Sequence, residues 1–255
     1  MYYIGLKLFS TNSNYVRPAL DLYDKGLYQY IELYSFPDSF GDFVHIWKDM
    51  HIPFNIHAPH FGDGLNFAKK ENEKTNLKLA LEALRFADAL KAEIVIFHPG
   101  VNGEISETAR QIIALGDSRI IVENKPYYGD GEGLICNGSS PEEILHLMND
   151  TGAGFCLDFG HAICSANARD FNPIEYIERF IEMKPRVYHL TDGDYTAFYD
   201  RHDHYGEGNF PLERLAAMIP PGSYITNEAD KNSEENLDDF VKDIGILNTL
   251  LRKRE

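Results

Sequence analysis

The chain is short of cysteine, of basic residues and of long apolar runs. Its three cysteines, Cys136, Cys156 and Cys164, are odd in number and form no C-x-x-C pair. That argues against a disulfide framework and against a thiolate zinc site. No apolar run approaches the ~20 residues of a membrane span. The opening Met1-Tyr2-Tyr3-Ile4-Gly5-Leu6-Lys7 has no basic region followed by an apolar signal core. Taken together, these absences make a reducing cytoplasm the expected compartment, with no membrane partner.

Lysine and arginine number 24 against 40 acids, a formal net charge of −16. A protein that grips nucleic acid by a broad basic face is disfavoured, because phosphate contacts supply most of that affinity. Metal ions gathered at one site would reverse the field locally, so a polyanionic substrate stays open. No Pro/Ser/Gly-rich linker and no low-complexity segment divides the chain. A length of 255 residues with 44% hydrophobic content suits one large α/β domain over residues 1–255.

What is present is an alternation of two patterns. Short β-branched or aromatic runs occur at Tyr3–Phe9, Tyr30–Tyr34, Pro53–His57, Glu93–His98, Arg119–Glu123, Gly154–Asp158, Arg186–Leu190 and Tyr224–Glu228. Segments of helical period lie between them, such as Glu71–Leu90, with Leu77, Leu81, Leu84 and Ala87 on one face. Ser140-Pro141-Glu142-Glu143 and Asn172-Pro173-Ile174-Glu175 carry helix starts: a cap, a proline at the first helical position and an acid. Gly26 and Gly116 fall where helices should end. Eight strands in units of about thirty residues predict a single-domain (β/α)8 TIM barrel. A doubly wound open sheet is the rival, weakened by the lack of a G-x-G-x-x-G after the first strand.

In such a barrel the C-terminal strand ends face the active site. Those ends read Ile56-His57-Ala58-Pro59-His60, Ile96-Phe97-His98-Pro99-Gly100, Val122-Glu123-Asn124, Leu157-Asp158-Phe159-Gly160-His161, Tyr188-His189-Leu190-Thr191-Asp192 and Thr226-Asn227-Glu228. Strand two ends near Glu32. The loop after strand seven adds Asp200-Arg201-His202-Asp203-His204, then the turn Gly206-Glu207-Gly208. Asp200 and His202 stand at i and i+2, which on an extended backbone points both side chains one way. Carboxylates crowded at one mouth repel strongly where the dielectric is low, and metal ions would relieve that repulsion. Imidazole and carboxylate without thiolate suit zinc, manganese or iron.

These motifs — HAP at 57–59, FHPG at 97–100, VEN at 122–124, LDFGHA at 157–162, HLTD at 189–192 and DRHxxxGEGN at 200–209 — resemble the endonuclease IV family of xylose-isomerase-like barrels. The resemblance runs from strand two to Glu228. It implies three zinc ions: one on His57, His98 and Glu123, a second on Glu123, Asp158, His189 and Glu228, a third on His161, Asp200 and His202. It also implies hydrolysis of the phosphodiester 5′ to an abasic site in DNA, as in DNA repair, with Glu123, Glu228, Asp158 and His202 central to the chemistry. His60, Arg201 and Tyr127 are candidate substrate contacts, and His204 a candidate support for the cluster.

The loop Ser35–Asp42 has no arginine and two acids, and no basic residue precedes Lys69 in the loop after strand three. Phe36, Phe40, Phe61 and Phe67 could wedge between bases or pack beneath loops. A second reading therefore stays open: a sugar or sugar-phosphate isomerase or epimerase, with one manganese or magnesium ion on Glu123, Asp158, His189 and Glu228. A non-enzymatic metal-binding accessory protein is a third.

Overall fold

The structure is a computed structural model that describes residues 1–252. All eight apolar runs form strands: β1 (Tyr3–Phe9), β2 (Tyr30–Tyr34), β3 (Phe54–His57), β4 (Val95–Phe97), β5 (Ile120–Glu123), β6 (Gly154–Asp158), β7 (Val187–His189) and β8 (Tyr224–Asn227). They follow one another in sequence order around a closed parallel barrel, sealed where β1 pairs with β8. Parallel neighbours need crossovers. These are α1 (Val16–Asp24), α2 (Phe40–Lys48), α3 (Glu73–Leu90), α4 (Ile105–Leu115), α5 (Pro141–Thr151), α6 (Phe159–Ala168), α7 (Pro173–Ile181) and α8 (Leu212–Met218), with α9 (Asp238–Arg252) after β8. Two helices, α6 and α7, fill the β6–β7 crossover. Among the described residues no helix is long and apolar enough to cross a membrane.

The local signals act as their chemistry requires. Ser140 caps α5 by accepting from the Glu143 amide, and Asn172 caps α7 by accepting from Ile174 and Glu175. Gly116 ends α4 in the left-handed conformation at φ 63°. In α3 the apolar face differs from the expected one. Leu84 and Ala87 are buried with Leu79, Ala80, Ala83 and Phe86, but Leu77 and Leu81 are each 47% exposed. The buried stripe is displaced because it must meet β3 and β4, which the helix packs upon.

Alternate residues of each strand point into the barrel. On the β4–β7 side these are Ile94, Ile96, Ile121, Cys156 and Val187, a small apolar plug. The β1–β2–β8 side is polar. Tyr30 donates or accepts at Thr226 over 2.7 Å, and a Cβ on Gly5 would stand 2.3 Å from the Tyr30 ring, so only glycine fits there. One step further along each strand, the same inward parity delivers Lys7, Glu32, His57, Glu123, Asp158 and His189. The plug therefore forms a floor, and the charged layer sits above it.

Candidate metal centre

Glu123, at the end of β5, is the hub. Its Oε2 lies 3.0 Å from His57 Nε2, 3.1 Å from His98 Nε2 and 3.5 Å from His189 Nδ1. Its Oε1 lies 3.0 Å from His161 Nδ1. His189 Nδ1 also stands 3.1 Å from Glu228 Oε2 and 3.8 Å from Asp158 Oδ2. Asp200 Oδ2 lies 3.7 Å from His161 Nε2 and 3.8 Å from His202 Nε2. All nine residues that the sequence singles out as ligands thus meet at one mouth, in three neighbouring sets.

The donors fit divalent ions. Ligands ~2.0–2.1 Å from a tetrahedral ion are themselves a little over ~3 Å apart, which is the spacing around Glu123 Oε2. The His57–His98–Glu123 set and the His161–Asp200–His202 set each offer three ligand atoms within 4.8 Å of one another. Three further sets, Glu32–His189–Glu228, Glu123–Asp158–His161 and Glu123–Cys156–His189, meet the same condition, the last bringing in a thiol that the sequence reading does not anticipate. His189 Nδ1, Asp200 Oδ2 and His202 Nδ1 are buried without a hydrogen bond. Buried polar atoms are seldom left so, and an ion would satisfy them.

The rings are aimed by their far nitrogens. His57 Nδ1 donates to the Ala58 carbonyl at 2.8 Å, and His161 Nδ1 to the Asn124 carbonyl at 2.9 Å. His189 Nε2 meets Glu32 at 3.1 Å. Each contact leaves the other nitrogen turned into the cluster, as metal-binding imidazoles require. Asp158 doubles as the N-cap of α6, accepting from the His161 amide at 2.7 Å. Asn124 and Asp158 exchange two hydrogen bonds, of 2.9 and 2.8 Å, that clasp the ends of β5 and β6. A Cβ on Gly160 would lie 2.6 Å from the Asp200 carboxylate, so the glycine of the Gly-His pair lets Asp200 approach.

The loop carrying Asp200 and His202 is not extended. His202 is in the left-handed region at φ 51°, and this turn, not strand parity, brings it back toward Asp200. Asp192 shapes the loop by accepting from Gly193, Gly206 and Phe210 amides at 2.8, 2.8 and 3.0 Å. His204 stays outside the cluster. It bonds Asp243 of α9 at 2.8 Å and Asn232 at 3.0 Å, and so ties the loop to the last helix.

Three charged residues at the cluster have no role assigned by the sequence reading. Glu32 is fully buried and meets Lys7 at 2.7 Å, His189 at 3.1 Å and Thr226 at 2.7 Å. Lys7 also bonds the second oxygen of Glu228. Lys125, buried, sets its ammonium beside the His161 ring, 3.2 Å from Nε2 and 3.5 Å from Nδ1, and lies 3.5 Å from His98 Nε2 and 3.8 Å from Glu123. The signal for Lys7 is a lone charge inside an apolar strand at the same parity as the ligands. For Lys125 it is a lysine two residues beyond Glu123.

These contacts set the ionisation of the site. Burial alone would raise the Glu32 carboxyl, but His189 and Lys7 outweigh it and hold it down at about 2. Glu123 and Glu228 are likewise held well below the carboxylate range against the effect of burial, Glu123 chiefly by His98, His189 and Lys125, Glu228 by His189 and Lys7. Asp158 goes the other way. Burial lifts it to about 6, aided by Asp200, Glu123 and Glu228 and opposed by His161. His98 is driven well below its usual range by burial and by Lys125, which keeps its ring neutral, the form that binds metal.

Of the candidate substrate contacts, His60 stands beside the cluster, its ring stacked 6.2 Å from that of His98. The His60 side chain is 43% exposed, and burial together with Lys125 lowers its pKa to about 4. Arg201 points outward and lies 3.2 Å from Asp203. Tyr127 packs edge-on to Tyr128 and beneath the Arg169 guanidinium at 4.6 Å. Of the four phenylalanines, Phe67 is buried and Phe40 packs on Phe86, while Phe36 is 42% exposed. Phe198 and Tyr199 add exposed rings beside Tyr128.

A closed parallel barrel with acids and imidazoles gathered at its C-terminal mouth defines a class of metal-site barrels. The chain belongs to the family described as Xylose isomerase-like TIM barrel, whose profile matches residues 26–224. Among curated relatives, a "Probable endonuclease 4" of Aquifex aeolicus is 29% identical over 208 residues, covering 72% of this chain and 71% of the relative. Two solved structures share the fold. Endonuclease IV from Thermus thermophilus superposes with a TM-score of 0.69 at 20% identity, over 98% of this chain and 99% of that one. A D-tagatose 3-epimerase-like protein does so with a TM-score of 0.67 at 22% identity, over 97% of each chain.

Proposed function

We propose that the protein is a zinc-dependent phosphodiesterase of endonuclease IV type, which cleaves DNA on the 5′ side of abasic sites. The observation that supports this reading best is the meeting of nine His, Asp and Glu side chains in three sets around Glu123 and Asp200. A mononuclear site has no use for so many ligands. The curated relative named for endonuclease 4 supports the same reading.

Bound zinc supplies a hydroxide nucleophile near neutral pH and charge to offset the phosphate oxygens. The residues do the rest. Glu123 presents one oxygen to His57, His98 and His189, so it is suited to serve both the His57–His98 set and the His189 set. Lys7 and Glu32 hold Glu228 and His189 from behind. His202, 34% exposed, stands at the rim where substrate enters. His60 stands beside His98 at the same cluster.

Incision of a duplex bearing one abasic analogue, after zinc reconstitution, tests the reading. Activity should vanish in Glu123→Gln and in His202→Ala, and incision that survives either substitution removes it.

The second reading is a sugar or sugar-phosphate isomerase or epimerase. It would use one divalent ion on Glu123, Asp158, His189 and Glu228, with the two glutamates moving a proton beside a carbonyl. The arginine-free Ser35–Asp42 loop and the exposed rings of Phe36, Phe198 and Tyr199 favour it. Turnover of a ketose or its phosphate without incision of abasic DNA would select it.

A further inference from the structure

Two loops meet through their aromatic rings. The first, after β5, is a hairpin: Tyr128 bridges Ile135, and the Cys136 amide donates to the Tyr127 carbonyl at 2.9 Å. Asn102 pins it, accepting from the Ile135 amide at 2.8 Å and donating to the Gly133 carbonyl at 3.1 Å. The second, after β7, is held by Asn167, which donates to the Tyr195 and Ala197 carbonyls at 2.8 and 2.9 Å. Tyr128 on the first loop lies 6.4 Å from Phe198 and 6.1 Å from Tyr199 on the second, ring centre to ring centre.

Both loops are thus tied down by their own hydrogen bonds, while Phe198 and Tyr199 remain 48% and 53% exposed. Adjoining exposed rings among polar residues mark a binding surface. This one adjoins the metal centre, because Tyr199 is the residue before Asp200. Its chemistry selects the occupant. Phosphates are poorly served there, since the hairpin tip carries exposed Asp130 and Glu132 and like charges repel. Bases are well served, since every base has a π-face and stacking needs no cation. A ketose held over the ions would leave such exposed rings unused, whereas a strand with one phosphate in the cluster continues past it.

We propose that Tyr128, Phe198 and Tyr199 form a stacking shelf for unpaired bases, so that the substrate strand is gripped beside the cut by its bases and is preferred single-stranded or frayed. The inference rests on the phosphodiesterase reading and names what that site holds. The shelf supplies, without charge, the grip that the arginine-free loop Ser35–Asp42 lacks.

Fluorescence anisotropy with two labelled probes of equal length tests it: oligothymidylate, and a base-free strand of propanediol phosphates. Both carry the same backbone charge, so a difference in affinity reports the bases. The zinc-loaded wild type should bind oligothymidylate about 10-fold tighter or more. Phe198→Ala combined with Tyr199→Ala should close the gap by weakening oligothymidylate alone, and Tyr199→Phe should keep it. Pairing the probe with oligodeoxyadenylate should remove the advantage, because paired bases are not free to stack on the protein. Equal affinity of the wild type for both strands overturns the proposal even if the double variant does not fold. A gap that survives in a folded double variant overturns it too, as does undiminished binding of the paired probe. Incision of abasic duplex, scored in parallel, judges the phosphodiesterase reading separately. A wild type that incises without preferring bases removes the shelf alone, and one that binds neither strand and incises nothing removes both.

Discussion

Glu32 fixes which face His189 shows the cluster. Its carboxylate meets Nε2 of that ring at 3.1 Å, leaving Nδ1 among Glu123, Asp158 and Glu228. The two residues are 157 positions apart in sequence and belong to strands on different sides of the barrel.

Replacing Glu32 by Gln should therefore weaken zinc binding without removing a ligand. The expected loss is ~10–100-fold in affinity, the usual size for a residue that orients a metal-binding imidazole. Competition with a chromogenic chelator measures it.

Glu32 should also shape the acid limb of stability. Its folded pKa of about 2 lies below the ordinary 4.5. A depressed carboxyl stabilises fully above the unfolded value and loses that contribution as pH falls through the folded one. For a buried group this is worth roughly 3 kcal/mol. The metal-free wild type should lose stability between about pH 4.5 and 2, and Glu32→Gln should lose less over that window, as read by denaturant melts.

Asp158 has the opposite sign. Its folded pKa of about 6 exceeds the ordinary 3.8, so its contribution is full below 3.8 and is lost as pH rises through 6. A proton there competes with metal. Zinc affinity should climb with pH up to about 6 and climb less steeply beyond, and Asp158→Asn should flatten the rise. Isothermal titration at a series of pH values follows both.

If abasic duplex is the substrate, binding should depend only weakly on salt. Each phosphate neutralised adds about −0.9 to the slope of log affinity against log salt, and the acidic loop Ser35–Asp42 supplies no cation. We expect a slope of about −2 to −3. A slope near −6 would indicate a basic footprint that this surface lacks.

Ser140→Ala removes the cap of α5, which lies outside the cluster. It should cost about 1 kcal/mol of stability and leave zinc stoichiometry unchanged. Thermal melts and elemental analysis separate the two effects.

The barrel was legible because its strands announce themselves by composition and its ligands by position. His57, Glu123 and Asp158 each close an apolar run, and strand periodicity turns them to one side. Lys7 and Glu32 obey the same parity, but their partnership exists only once β1, β2 and β8 are neighbours, which no local pattern states. Lys125 lies beyond the strand end, and only the packed structure folds its long side chain back over His161. Asp200 and His202 were found for an inexact reason: a left-handed turn at His202, braced by Asp192, does what an extended backbone was expected to do. Leu77 and Leu81 show the converse, a regular apolar spacing whose burial depends on where neighbouring strands happen to lie.

The bond between Lys7 and Glu228 crosses the line where β1 meets β8, joining residues 221 positions apart. Glu228 cannot acquire its ammonium until the last strand docks against the first. A nascent chain that stops short of β8 has His57, His98 and Glu123 to offer but lacks the charge balance of the finished layer. Ring closure is thus the event that completes the charge balance of the layer, since it alone brings Lys7 to Glu228.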